Sequence, residues 1–166
     1  MSDTIRTLFD LLRLRAGPQD LPGSWTLTSI AIAAFLGQAL VTSQSLDGGD
    51  EAARSVLSIA IQFAAVALLL KFRGHPERLE QTLLALAGTG FILGLLAFAL
   101  LTQANADVQQ PLLAILFFTI FGWSLAVDAN IFRHALNVSL STGVLVAVIL
   151  LALTYVVLEF AYLRST

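Results

Sequence analysis

Hydrophobic and polar positions recur on two scales along this chain. Near the start, Ile5, Leu8, Phe9, Leu12 and Ala16 repeat at helical spacing while Asp3, Arg6, Asp10 and Arg13 hold the opposite side. That spacing predicts a short amphipathic helix, which either lies in a membrane interface or packs on the end of a bundle. Two prolines and two glycines in Gly17-Pro18-Gln19-Asp20-Leu21-Pro22-Gly23 then turn the chain. Beyond them the apolar runs are continuous, at about residues 25–42, 55–72, 83–101, 112–127 and 140–162. A membrane-spanning helix needs roughly 20 mostly apolar residues. The expected fold is therefore all-α: a polytopic transmembrane bundle of five helices preceded by a short amphipathic interfacial helix. The expected division is 1–23, a cytoplasmic helix and Pro/Gly linker, and 24–166, the five-helix transmembrane domain. A four-span reading leaves one apolar run unburied and ranks second.

Composition agrees with this class. Hydrophobic residues make up 57% of the 166 and charged residues 12%, against roughly 25% charged in a soluble domain. Mean hydropathy is +0.85. With no cysteine, disulfides, thiolate metal sites and cysteine nucleophiles are excluded. Asp3, Arg6 and Asp10 interrupt any signal-peptide core.

Topology follows from the bias of Lys and Arg. Arg6, Arg13, Arg15, Lys71, Arg73, Arg78 and Arg133 fall on one side and Arg54 and Arg164 on the other, seven against two. The expectation is a cytoplasmic N-terminus and a periplasmic C-terminus. Alanine, leucine and arginine usage points to a bacterial inner membrane.

Small residues recur at intervals of four: Ser29/Ala33/Gly37, Gly90/Gly94 and Ser139/Gly143/Ala147. Gly37, Gly90, Gly94 and Gly143 are the expected helix-packing positions, because such spacing lets backbones approach closely. Gly90/Gly94 serves packing within the chain or homodimerisation; a five-helix bundle needs its own tight contacts, which favours the first. Gln38 and Gln62 are amides inside spans. They line a polar path or hydrogen-bond each other across the first two spans.

The densest polar stretch begins as apolar helix and ends as polar helix, from Phe121 to Asn137. Asp128, Asn130, Arg133, His134 and Asn137 form a candidate cytoplasmic patch. Trp123, Val127, Asn130, Arg133, His134 and Asn137 run along one stripe, with Asp128 at the changeover from apolar to polar. The patch is either a proton-accessible or partner-binding surface, with His134 as its titrating group, or a solvated helix end.

No nucleophile elbow, P-loop, dinucleotide fingerprint or zinc-protease motif occurs. His75 and His134 are the only histidines, and no carboxylate–histidine ligand spacing accompanies them. No catalytic residue, metal or cofactor is expected, and no basic stripe suggests nucleic acid. The expected partners are the lipid bilayer and another membrane protein or a second copy.

Phe9-Asp-Leu-Leu12, Gly17-Pro18 through Leu21-Pro22 and the five closely spaced apolar runs together resemble the bacterial members of the Yip1 superfamily. The DLYGP-type motif of the eukaryotic branch is absent; Gly17-Pro18 is a fragment of it. The resemblance implies a membrane-organising or trafficking-type scaffold. The expected function is thus a non-enzymatic integral inner-membrane protein acting as an accessory or scaffold. The alternative is a small transporter or channel using Gln38, Gln62 and Asp128.

Overall fold

The computed structural model of the chain describes residues 2–45, 49–105 and 109–163. The expected loop positions at 46–48, Asp107, Arg164 and the Tyr162 side chain lie outside the described residues. Six helices follow in order: α1 (Ser2–Leu12), α2 (Trp25–Ser45), α3 (Gly49–Phe72), α4 (Leu79–Leu101), α5 (Pro111–Ala135) and α6 (Leu140–Leu163). Single 3₁₀ turns at Pro18–Asp20 and Pro76–Arg78 precede α2 and α4. Among the described residues there is no strand. Five helices, α2 to α6, are long and apolar enough to cross a membrane.

The helix limits have local causes. Pro18, Pro76 and Pro111 each open a helix or turn, where a missing N–H costs nothing and φ is already helical. Three helices end the same way. Leu14 (φ 59°), Gly74 (φ 75°) and Asn137 (φ 53°) take the left-handed conformation. The next amide then reaches back to the last turn, as in Arg15 N–H to the Asp10 carbonyl (2.8 Å), His75 to Leu70 (2.9 Å) and Val138 to Arg133 (3.0 Å). α3 starts about a turn and a half earlier than its apolar run. Glu51 there lies in the first turn, where an acid suits the helix dipole.

The five long helices close a ring in which α4 touches α2 and α5, α2 touches α3, α3 touches α6, and α6 touches α5. α4 is the hub: every residue from Thr82 to Thr89 is buried. Its threonines tolerate this because their hydroxyls donate within the helix, Thr82 to the Arg78 carbonyl and Thr89 to Ala85, both at 2.7 Å. The opposite halves are open: Leu112, Ile115 and Phe118 on α5 and Tyr155 and Phe160 on α6 are exposed, as suits side chains that meet lipid.

The glycines divide. Gly90 receives the Phe35 ring and Gly94 the Gln38 side chain, so this pair brings α2 onto α4 within the chain. Gly143 abuts the Ala129 carbonyl, with the Arg133 amide 3.2 Å from where a Cβ would stand. Gly37 departs from the expected packing role. Nothing lies within 4 Å of its Cβ position, and Ser29, Ala33 and Gly37 are all exposed. The reason is rotational: α2 turns Thr28, Phe35 and Gln38 toward α4, which carries the small-residue stripe outward.

α1 also departs from its expected stripe. Leu11 is fully buried while Ile5 and Phe9 stay half exposed. Gly88 of α4 provides the notch: Leu8 sits over it, 2.7 Å from the position of an absent Cβ. Seating Leu8 there rotates Leu11 into the bundle and turns Ile5 and Phe9 out.

Candidate functional site: a cavity inside the helix ring

The polar stretch of α5 meets three separate surroundings, the first two in line along one stripe and the third turned away from them. The first holds the N-terminal segment. The Trp123 indole N–H donates to the Leu12 carbonyl (2.9 Å), and the Asn130 amide donates to the Ala16 carbonyl (2.9 Å). Val127 between them is buried. On α4, the Gln81 amide donates to the Leu21 carbonyl (2.7 Å). Asp20 closes the intervening turn by accepting from the Gly17 N–H (2.8 Å). Asn130 is only 3% exposed, so it is a strut of the fold rather than an accessible patch residue.

The second is a groove of about 430 Å³ at the end of the bundle where the N-terminal segment docks, with Arg133, His134 and Asn137 on one wall and Gln19, Arg78 and Gln81 on the other. Much of its polarity is already committed. Arg78 donates from one nitrogen to the His134 and Ala135 carbonyls, both at 3.1 Å, capping the end of α5. His134 bonds the Asn130 carbonyl of its own helix through Nδ1 at 2.8 Å. Asn137 supplies the left-handed residue that ends the helix. Arg133 is exposed.

The third belongs to Asp128, and here the structure parts from the expected patch. At about 100° per residue, Asp128 points roughly opposite to Asn130, His134 and Asn137. It lines a half-open cavity of about 240 Å³ between α2, α3, α4 and α5, with Ser124 on its own helix. Gln62 enters from α3 and Thr89 from α4. Phe35, Phe63, Phe117 and Phe121 supply aromatic walls from three helices. At ~1.5 Å per residue, Gln62 and Thr89 lie about 15 Å in from the docking end of the bundle and Ser124 about 16 Å. Asp128 lies about 10 Å in. Phe121, 43% exposed, marks the open side.

The electrostatics of this cavity are one-sided. Its lining contains no arginine, lysine or histidine. Among the described residues no hydrogen bond or ion pair reaches the Asp128 carboxyl, whereas the Ser124 hydroxyl is bonded to the Phe121 carbonyl (2.7 Å) and Thr89 to Ala85.

The two intramembrane amides separate. Gln62 lines the cavity. Gln38 does not; its amide donates to Thr42 of the same helix (2.8 Å) and packs on Gly94. Ser124, Thr89 and the four phenylalanines were not singled out from the sequence. Ser124 and Asp128 are spaced by four in a phenylalanine-rich span, which is the signal that joins them; nothing in the sequence ties either to Gln62 or Thr89. Among the described residues no group of three histidines or carboxylates is placed to hold a metal.

Compared with family models, with curated proteins and with solved structures, the chain matches none.

Proposed function

We propose that this is an integral membrane protein that admits a small solute into the middle of its helix ring and holds it against Asp128, as a transporter or channel does. One observation carries the reading: a carboxyl without a protein partner lines a mostly apolar cavity between the spanning helices, about 10 Å in from the end of α5. Ionisable groups at such depth are expensive, and where they persist they mark solute or ion paths by default. Gln62, Thr89 and Ser124 add polar atoms at one level, which is how a mostly apolar pocket orients what it binds.

The cysteine-free sequence makes the test direct. In the Ser124→Cys variant, reconstituted in lipid nanodiscs, methyl methanethiosulfonate should modify the introduced thiol within minutes, since the reacting thiolate requires water. The Ala147→Cys variant, on the closed α5–α6 seam, should stay unmodified. Equal protection of both positions would overturn the reading.

A second reading keeps the chain as a non-enzymatic accessory or scaffold protein, in line with its resemblance to the Yip1 superfamily. The observation that favours it is the outward Ser29/Ala33/Gly37 face of α2, open to a neighbouring helix from another protein or a second copy. A stoichiometric partner in native mass spectrometry after gentle extraction would support it. In either reading, the seven-to-two bias of Lys and Arg supports a cytoplasmic N-terminal end in a bacterial inner membrane. The half-exposed Ile5 and Phe9 support α1 lying at the bilayer interface.

A further inference from the structure

The cavity's chemistry narrows the solute, and this step rests on the reading of the cavity as a solute site. We infer that it takes a small organic cation: an ammonium group on an aromatic or branched apolar body.

Three features select that class. The only charged group in the lining is the Asp128 carboxyl, and no arginine, lysine or histidine stands there to neutralise it. A carboxylate set among apolar walls without a counter-charge is unfavourable, and a ligand that brings the counter-charge relieves that penalty. Anions are repelled for the same reason.

The second feature is aromatic. Phe35, Phe63, Phe117 and Phe121 surround the cavity. Ring faces attract cations, and desolvated aromatic cages are the recurrent solution for ammonium groups that carry alkyl substituents. A bare inorganic cation fits poorly, because it needs several oxygen ligands at short range. Here the side-chain oxygens are those of Asp128, Gln62, Ser124 and Thr89 alone, spread over three helices in an otherwise apolar lining.

The third feature is size. An apolar protein cavity of about 150 Å³ accepts benzene. A volume of about 240 Å³ admits one ring and a few further heavy atoms. A larger molecule would have to extend past Phe121 through the open side.

The test uses the full chain in nanodiscs and three probes of similar size: benzyltrimethylammonium, its neutral carbon isostere neopentylbenzene, and benzenesulfonate. Binding is read by isothermal calorimetry, with empty nanodiscs as the blank for partitioning. The expected result is saturable, one-to-one binding of benzyltrimethylammonium alone. Asp128→Asn, which keeps the side-chain size, should weaken it at least about tenfold. Phe121→Leu should weaken it about two- to tenfold by removing one ring face. Glu159→Gln, which removes an exposed carboxyl elsewhere on α6, should leave it unchanged.

Equal binding of the neutral isostere, undisturbed by Asp128→Asn, would overturn the cation assignment while leaving the cavity a solute site. Preferential binding of benzenesulfonate would do the same. Failure of all three probes, together with protection of the Ser124→Cys thiol, would overturn the site and the inference with it.

Discussion

The N-terminal segment is held to the bundle by few enough bonds that their removal is countable. Trp123 and Asn130 each give one hydrogen bond to its backbone, at Leu12 and Ala16. Leu8 on Gly88 and the buried Leu11 give the packing. Asn130→Ala removes one donor and leaves the Ala16 carbonyl short of a partner in a part-buried site. A bond lost in this way costs about 1–3 kcal/mol, and tenfold in an equilibrium is about 1.4 kcal/mol. The population of the undocked segment should therefore rise roughly five- to 150-fold. Trp123→Phe keeps a six-membered aromatic ring but removes the N–H together with the five-membered ring, so it should cost at least about 0.5–1.5 kcal/mol for the bond.

Trypsin reads this opening, because Arg13 and Arg15 follow α1 and the protease must unfold the chain around them to cut. When reclosing is faster than cleavage, the rate tracks the open population. Cleavage after Arg13 and Arg15 in nanodiscs, followed by intact-mass spectrometry, should accelerate by those factors. The two substitutions should be nearly additive, since each removes its own bond from the docked state alone. Unchanged cleavage in both variants, with helicity retained, would refute the view that the α5 stripe exists to dock the N-terminal segment.

Other substitutions test the packing. The same change should have opposite signs at two glycines. Gly143→Ala drives a Cβ into the Ala129 carbonyl and should cost about 1–3 kcal/mol, whereas Gly37→Ala enters open space and should gain up to about 1 kcal/mol in helix propensity. Thermal unfolding of the two variants side by side decides it. At the left-handed helix ends the signs also oppose. Leu14→Gly should relieve about 1 kcal/mol of backbone strain and slow tryptic cleavage at Arg15, while Gly74→Ala should lower Tm by imposing a similar strain.

The five spans were legible because continuous apolar runs of this length have one solution in a membrane, and proline and glycine punctuate them. The positions that bring helices together were legible only in part. Gly90, Gly94 and Gly143 do meet neighbouring elements, but spacing alone cannot say which side of a helix faces in, and α2 turns Gly37 outward. The candidate patch is divided for a related reason: Arg133, His134 and Asn137 share one groove, and Asp128 lines another cavity. Asp128, Asn130, Arg133, His134 and Asn137 are close in sequence, yet a helix turns about 100° per residue and sends Asp128 to the opposite side. The cavity joins residues from four helices, Phe35, Gln62, Thr89 and Asp128 among them. Such a set exists only once the ring is closed, and no single span advertises it.

That separation gives the Asp128 carboxyl a meaning that the linear reading blurred. Trp123 and Asn130 bind the N-terminal backbone, Ser124 and His134 bond their own helix, and Arg133 is solvated at the end of the bundle. Asp128 alone faces a cavity with no bond that serves the fold. A group of that kind lowers stability, and proteins keep such groups where they act. The consequence is measurable. Inserting an acid at a helix centre costs about 2.5–3.5 kcal/mol on the insertion scale, and less at about 10 Å from the end of the span. Asp128→Leu should therefore stabilise the protein by about 1–2 kcal/mol, which for a chain of this size raises Tm by roughly 2–8 °C. The assay is thermal unfolding in nanodiscs followed by tryptophan fluorescence, with the binding probe absent. A fall in Tm would show that the carboxyl supports the fold through partners of its own, and the case for a solute site at Asp128 would lose its foundation.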